Sequence, residues 1–230
     1  LVDHRAGLSC FIPVPNWLVC SNARNSKRGV IMCRAVSILV LAIVAASVAP
    51  LKADKLKVTL FYEHLCPDSI RWVSNELLPN YDALRDHIDI EFIPFGKARS
   101  INGGQSFECQ HGPLECEGNR IQSCVLNQLP EQDRQVSFVG CQMSFDADPR
   151  GWECTFRSGV NLVATQSCVE GVQGIQLQLE AERRTQQIPL SFVPTIVFND
   201  QFDQQLTDSA FRDFKGTVCQ VMGNSIGACN

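Results

Sequence analysis

The chain has 230 residues, 45% of them apolar, and a formal net charge of −4. That length suits one domain with attachments or two small ones, and a mildly acidic chain without a dense basic stripe excludes a nucleic-acid-binding surface. Its 12 cysteines are many for a reducing compartment and ordinary for an oxidising one.

The first methionine is Met32. Met32-Cys33-Arg34 opens onto an uncharged apolar run from Ala35 to Ala49 that ends in small residues. This is the pattern of a secretory signal peptide, with cleavage after Ala49 or Ala53. The run falls short of the ~20 residues of a membrane span, so no stable span is expected. Residues 1–31 then read as a leader upstream of the true start, 32–53 as the signal peptide and 54–230 as the mature domain.

Leu56–Tyr62 reads as a buried strand by its length and its β-branched and aromatic content. It leads to Cys66-Pro67-Asp68-Ser69, a cysteine at the start of a helix, where orphan N–H groups and the helix dipole favour a thiolate. The helix is expected from Ser69 to about Arg85, with Ile70, Val73, Leu77, Tyr81 and Leu84 on one face. Pro79 predicts a kink or break in it. His87–Pro94 alternates apolar and polar residues and reads as a second strand, giving a βαβ unit with a parallel pair.

Residues 96–113 are polar and glycine-rich and read as loop. Helices are expected over 115–129 and 132–145, separated at Pro130, in part of 154–168 with Gly159 a weak point, and over 172–187. Together they form an insertion at about 96–188. Pro189–Phe198 reads as the third strand, Asn199-Asp200 as a turn into a short strand near 201–205, and Thr207 or Asp208 as the cap of a final helix reaching about Met222. The order βαβ, insertion, ββα is an α/β, thioredoxin-like arrangement with a disulfide-rich helical insertion.

With Cys10, Cys20 and Cys33 removed with the leader, nine cysteines remain. The simplest division is four disulfides among Cys109, Cys116, Cys124, Cys141, Cys154, Cys168, Cys219 and Cys229, with Cys66 left over. Spacing suggests Cys219 with Cys229; pairing among the others stays open. Cys109, Cys116, Cys124 and His111 would also interest zinc, but they lack a short C-x2-4-C pair, and an oxidising compartment favours disulfides. No metal and no cofactor is expected.

The stretch from Cys109 to Cys124 contains Cys109, Gln110, His111, Gly112, Glu115, Cys116, Asn119 and Cys124 at the spacing C-Q-H-G-x2-E-C-x2-N-x4-C. It resembles the signature of the gamma-interferon-inducible lysosomal thiol reductase (GILT) family at every fixed position. The Phe-Tyr-Glu approach to Cys66, Ile93-Pro94-Phe95-Gly96, Val193-Pro194-Thr195 and the C-terminal cysteine pair are similar to that family as well. The resemblance spans about Lys55 to Cys229. It implies a thioredoxin-like fold and a relative of enzymes that reduce protein disulfides in acidic compartments. It also implies that Val193-Pro194 corresponds to the cis-proline loop that faces the redox cysteine and binds substrate, an ordinary trans proline being the other reading.

Two departures from the family stand out. Its redox motif is Cys-x-x-Cys, and Ser69 occupies the second position here. Its lysosomal members carry N-glycans, and no Asn-x-Ser/Thr sequon occurs, with Asn25, Asn161 and Asn224 near misses. Secretion is therefore expected ahead of lysosomal delivery.

Cys66 is the candidate nucleophile, with Ser69 a hydrogen-bond donor to its thiolate; a buried structural cysteine or a relic thiol is the competing reading. Asp68 opposes a thiolate, and a His64 protonated at pH 5 would assist it, a solvated loop histidine being the equal alternative. Gln110, His111, Glu115 and Asn119 are expected to organise the insertion rather than to catalyse. One thiol suffices for disulfide shuffling, but net reduction stalls at the mixed disulfide unless a small thiol resolves it. The chain reads as a secreted thiol–disulfide oxidoreductase acting on disulfide-containing proteins or small thiols, as a monomer or a Cys66-linked dimer. The alternative is a redox-inactive binding protein with a cell-surface or foreign-organism partner.

Overall fold

The computed structural model describes residues 54–224 and 226–229. The expected leader (1–31) and signal peptide (32–53) lie outside the described residues.

Strand β1 (Leu56–Tyr62) is central in a three-stranded sheet of order β2-β1-β5. It pairs parallel with β2 (Ile88–Pro94) and antiparallel with β5 (Thr195–Phe198), so that Leu60 faces both Phe92 and Ile196. Leu56, Val58, Leu60 and Tyr62 face one core with Trp72, Leu77, Ile121 and Phe214. Phe61 faces the other, with Ile93, Phe95, Ala181 and Val197. A strand covered on both faces carries an almost unbroken apolar run, which is how β1 reads in the sequence.

The helix after Cys66 begins at Pro67, two residues before the expected start. It runs as α1 (Pro67–Trp72), a π-turn (Val73–Leu77) and α2 (Leu78–Leu84). Pro79 falls in the first turn of α2, where a missing N–H costs least. The π-turn therefore replaces the break expected at Pro79. Asn80 Nδ2 donates to the Glu76 carbonyl at 2.8 Å beside it.

The segment expected to be loop contains a small antiparallel hairpin, β3 (Arg99–Ile101) and β4 (Ser106–Glu108). Gly103 and Gly104 turn it at φ of 65° and 85°. The insertion continues as α3 (Pro113–Leu126), α4 (Gln132–Gln142), α5 (Trp152–Arg157), α6 (Leu162–Glu170) and α7 (Val172–Thr185). Disulfides Cys124–Cys168 and Cys141–Cys154 tie α3 to α6 and α4 to α5. Cys109–Cys116 closes the approach to α3, and Cys219–Cys229 staples the C-terminus.

Three expectations near the C-terminus are corrected. The third strand begins at Thr195 rather than Pro189, past a cis Val193–Pro194 peptide. The short strand near 201–205 reduces to one bridge between Phe198 and Gln201. The final helix is two, α8 (Gln204–Arg212) and α9 (Phe214–Val221), because two aspartates supply caps. Asp203 accepts from the Leu206 N–H at 2.9 Å, and Asp213 accepts from the Gly216 N–H at 2.8 Å.

On the outer face of the sheet, Glu91 accepts both Arg184 guanidinium bonds, at 2.6 and 2.7 Å, and Lys57 lies at 3.4 Å. The Arg184 bonds hold the Glu91 carboxyl below the usual carboxylate range. A depressed folded-state pKa adds stability above the unfolded pKa and loses it as pH falls through the folded one. Glu91 is about a third exposed, so the pair is discounted for solvent screening: Glu91→Gln should cost about 1 kcal/mol at neutral pH in urea unfolding. The gap between variant and wild type should close as pH falls through the depressed folded-state pKa of Glu91, below the ordinary carboxylate range.

Candidate functional site

Cys66 is the N-cap of α1, with extended backbone at φ −68° and ψ 120°. Its carbonyl starts the helix, accepting the Ile70 N–H at 3.0 Å. The residue is 7% exposed, and Sγ lies 3.7 Å from the Val193 carbonyl, to which the thiol donates. The structure thus brings Cys66 against the cis Val193–Pro194 loop. Among the described residues Cys66 is the free cysteine, and the other eight form the four bridges above.

Ser69 is fully buried one turn into the helix, and its Oγ has no hydrogen-bond partner. The expected Ser69–Cys66 hydrogen bond is absent, because the extended N-cap directs Sγ to Val193 instead. Asp68, expected to oppose a thiolate, is ion-paired with Arg71 on the exposed side of the turn. Beside Pro194 lies a pocket of 110 Å³ lined in part by Phe192, Thr195, Phe202 and Phe211. The Phe192 and Phe211 rings meet edge-on there, with centroids 5.3 Å apart.

The loop that delivers Cys66, residues 63–65, is held by α3. Asn119 Oδ1 accepts from the His64 N–H at 2.9 Å, and Glu115 Oε2 accepts from the Leu65 N–H at 3.3 Å. Glu115 Oε1 also accepts from the His111 N–H at 3.0 Å, while His111 Nδ1 lies 2.5 Å from Glu115 Oε2. Gly112 caps α3 at φ 86°, a conformation that favours glycine, and Gln110 is exposed. Two signature residues, Glu115 and Asn119, therefore do more than organise the insertion: they fasten it to the backbone that positions the thiol.

A buried relay lies behind this loop. Tyr62 Oη donates to Gln122 Oε1 at 2.5 Å, Gln122 Nε2 donates to His64 Nδ1 at 2.9 Å, and His64 Nε2 donates to the Pro149 carbonyl at 2.9 Å. These partners fix one neutral tautomer. His64 is 1% exposed, and burial lowers its pKa, so it is no protonated neighbour of the thiol. Burial likewise pushes the Tyr62 hydroxyl well above its usual range.

Glu63 is fully buried, and burial pushes its carboxyl up to about 7. Its Oε1 accepts from the Lys97 N–H at 2.6 Å. Gly96 is required beside it, since φ is +58° and a Cβ there would meet Glu63 Cγ at 2.4 Å.

Sequence reasoning missed Gly118 and Gln122, noted Glu63 only as part of the Phe-Tyr-Glu approach, and misplaced His64. The available signal was the run Glu115, Gly118, Asn119, Gln122: spacings of three and four put them on one helical face, and such a polar or small face needs buried partners.

A family model described as gamma interferon inducible lysosomal thiol reductase (GILT) matches residues 57–158. GILT-like protein 1 of Drosophila melanogaster is 32% identical over 190 residues, spanning 74% of this chain and 76% of that protein. The gamma-interferon-inducible lysosomal thiol reductase of Carassius auratus is 29% identical over 184 residues, spanning 77% of this chain and 73% of that protein. Among solved structures, the reduced form of the disulfide bond oxidoreductase DsbG from Mycobacterium tuberculosis aligns with a TM-score of 0.52 at 12% identity, covering 78% of this chain and 85% of that one. The fold is thioredoxin-like, with the helical insertion between β2 and β5.

Proposed function

This chain belongs to the GILT family of thiol reductases, and we propose that it is a secreted monothiol member whose single reactive thiol is Cys66. The observation that carries the reading is a free Cys66 at a helix start, 3.7 Å from the Val193 carbonyl, with a serine in the resolving position. The Cys66 thiolate attacks a substrate disulfide. That S–S bond breaks, a mixed disulfide with Cys66 forms, and the departing substrate thiolate takes a proton. Two small thiols, such as cysteine or glutathione, then complete the reduction. The first displaces the second substrate thiolate from Cys66, and the next frees Cys66; together they supply two electrons and leave as their own disulfide. Without them, the departing thiolate re-attacks elsewhere and shuffles the substrate's bonds.

The edge at Val193–Pro194 holds the substrate backbone in this reading, and the aromatic pocket beside it takes an apolar side chain flanking the substrate cystine. Secretion is supported by the Met32–Ala49 pattern and by four disulfides, which persist in oxidising compartments. Among the described residues no helix is long and apolar enough to cross a membrane.

Ser69 also favours a second reading, a binding protein on this scaffold without redox turnover. Insulin-disulfide reduction with a small thiol supplied separates the two: wild type should outpace Cys66→Ala, and equal rates would favour the binding protein.

A further inference from the structure

Glu63, His111 and Glu115 each offer a ligand atom, and these atoms lie within 4.8 Å of one another. They come from three places in the fold: the exit of β1, the loop before α3 and the first turn of α3. Both carboxylates are fully buried, and the imidazole is 37% exposed. Glu63 Oε2 is the telling atom. It is buried, has no hydrogen-bond partner, and lies 3.5 Å from His111 Nδ1. A buried polar atom left unpaired is costly, and this one faces an imidazole nitrogen and a second carboxylate.

We propose that these three residues form a binding site for a divalent transition-metal ion of the zinc class. The ligands are the Glu63 and Glu115 carboxylates and His111 Nδ1. Calcium and magnesium prefer all-oxygen shells, whereas zinc combines imidazole with carboxylate. Tetrahedral zinc with bonds of ~2.0–2.2 Å sets ligand atoms about 3.3–3.6 Å apart, and the Glu63–His111 separation of 3.5 Å matches that. The 2.5 Å approach of His111 to Glu115 has to open by about 1 Å to reach the same spacing, which an exposed ring on a loop allows. Three protein ligands leave the fourth position on the exposed side for water. Glu115 Oε1, bonded to the His111 N–H, and Glu63 Oε1, bonded to the Lys97 N–H, orient the carboxylates from behind. The site uses no cysteine: of Cys109, Cys116, Cys124 and His111 it shares His111 alone, the three cysteines being held in disulfides. An ion there would link the β1 exit, two residues before Leu65, to the signature loop.

Zinc uptake by the disulfide-intact chain, stripped with chelator and titrated by calorimetry near neutral pH, tests the proposal. One zinc should bind per chain, in the presence of about tenfold excess magnesium and calcium. Cys66→Ala should bind as wild type does, and His111→Ala should bind at least about tenfold more weakly. X-ray absorption at the zinc edge of the loaded wild type should show nitrogen and oxygen neighbours only, a readout that needs no variant to fold. No stoichiometric uptake, uptake unchanged in His111→Ala, loss in Cys66→Ala, or a sulfur neighbour would each overturn the site.

Discussion

Pre-reduced Ser69→Cys, freed of excess reductant, should release reduced substrate in a single turnover at least about tenfold faster than wild type. Positions 66 and 69 are three apart across the first turn of α1, the spacing at which a Cys-x-x-Cys pair closes. On the proposed monothiol mechanism wild type should stop at the mixed disulfide, because position 69 carries a hydroxyl. A thiol there attacks Cys66 Sγ, the mixed disulfide breaks, and the substrate leaves reduced. The substitution should cost little stability. Ser69 Oγ makes no hydrogen bond that the change would remove, and cysteine is among the residues best tolerated in a core. Stopped-flow or quenched release of a fluorescent cystine peptide reads the rate. Equal release by variant and wild type would mean that the turn cannot close a disulfide.

The largest loss of stability should follow Gly118→Ala. Helix propensity alone predicts a gain of about 1 kcal/mol from replacing glycine in a helix interior. Here the added Cβ would lie 1.9 Å from His64 Cδ2 and 2.4 Å from Cγ. The ring cannot retreat, because Gln122 holds one nitrogen and the Pro149 carbonyl the other. Overpacking plus broken buried hydrogen bonds outweigh the propensity, and the net cost should be about 3 kcal/mol. Urea unfolding should show a lower midpoint at an unchanged slope. A stabilised variant would show that His64 does not occupy this position.

Gly118 also shows what was legible in the sequence. It falls at a variable position of the Cys109–Cys124 pattern, so motif reading passes over it, and its role follows only from the side chain packed against it. β1 and β2 were readable because burial on both faces, or alternation on one, leaves a mark in composition. The hairpin of β3 and β4 was not: its six residues are mostly half-buried and mostly polar, without a clear alternation, and it is held from outside, with Glu182 accepting the Ser100 N–H at 2.9 Å. The division of the last helix depended on choosing among aspartates as caps, and Asp203 and Asp213 have local sequences no more suggestive than Asp208. At the site, cysteine arithmetic singles out Cys66 as the odd thiol before any geometry, while the tether from Glu115 and Asn119 to residues 64 and 65 needed the fold to bring distant segments together.

The measurement closest to the central claim is insulin-disulfide reduction by wild type and Cys66→Ala, in acidic and in neutral buffer, with and without added cysteine or glutathione. Wild-type turnover should depend on the added thiol, and the variant rate should be no higher than that thiol alone produces. A wild-type rate equal to that of Cys66→Ala under every condition would contradict it and leave the scaffold to a binding role.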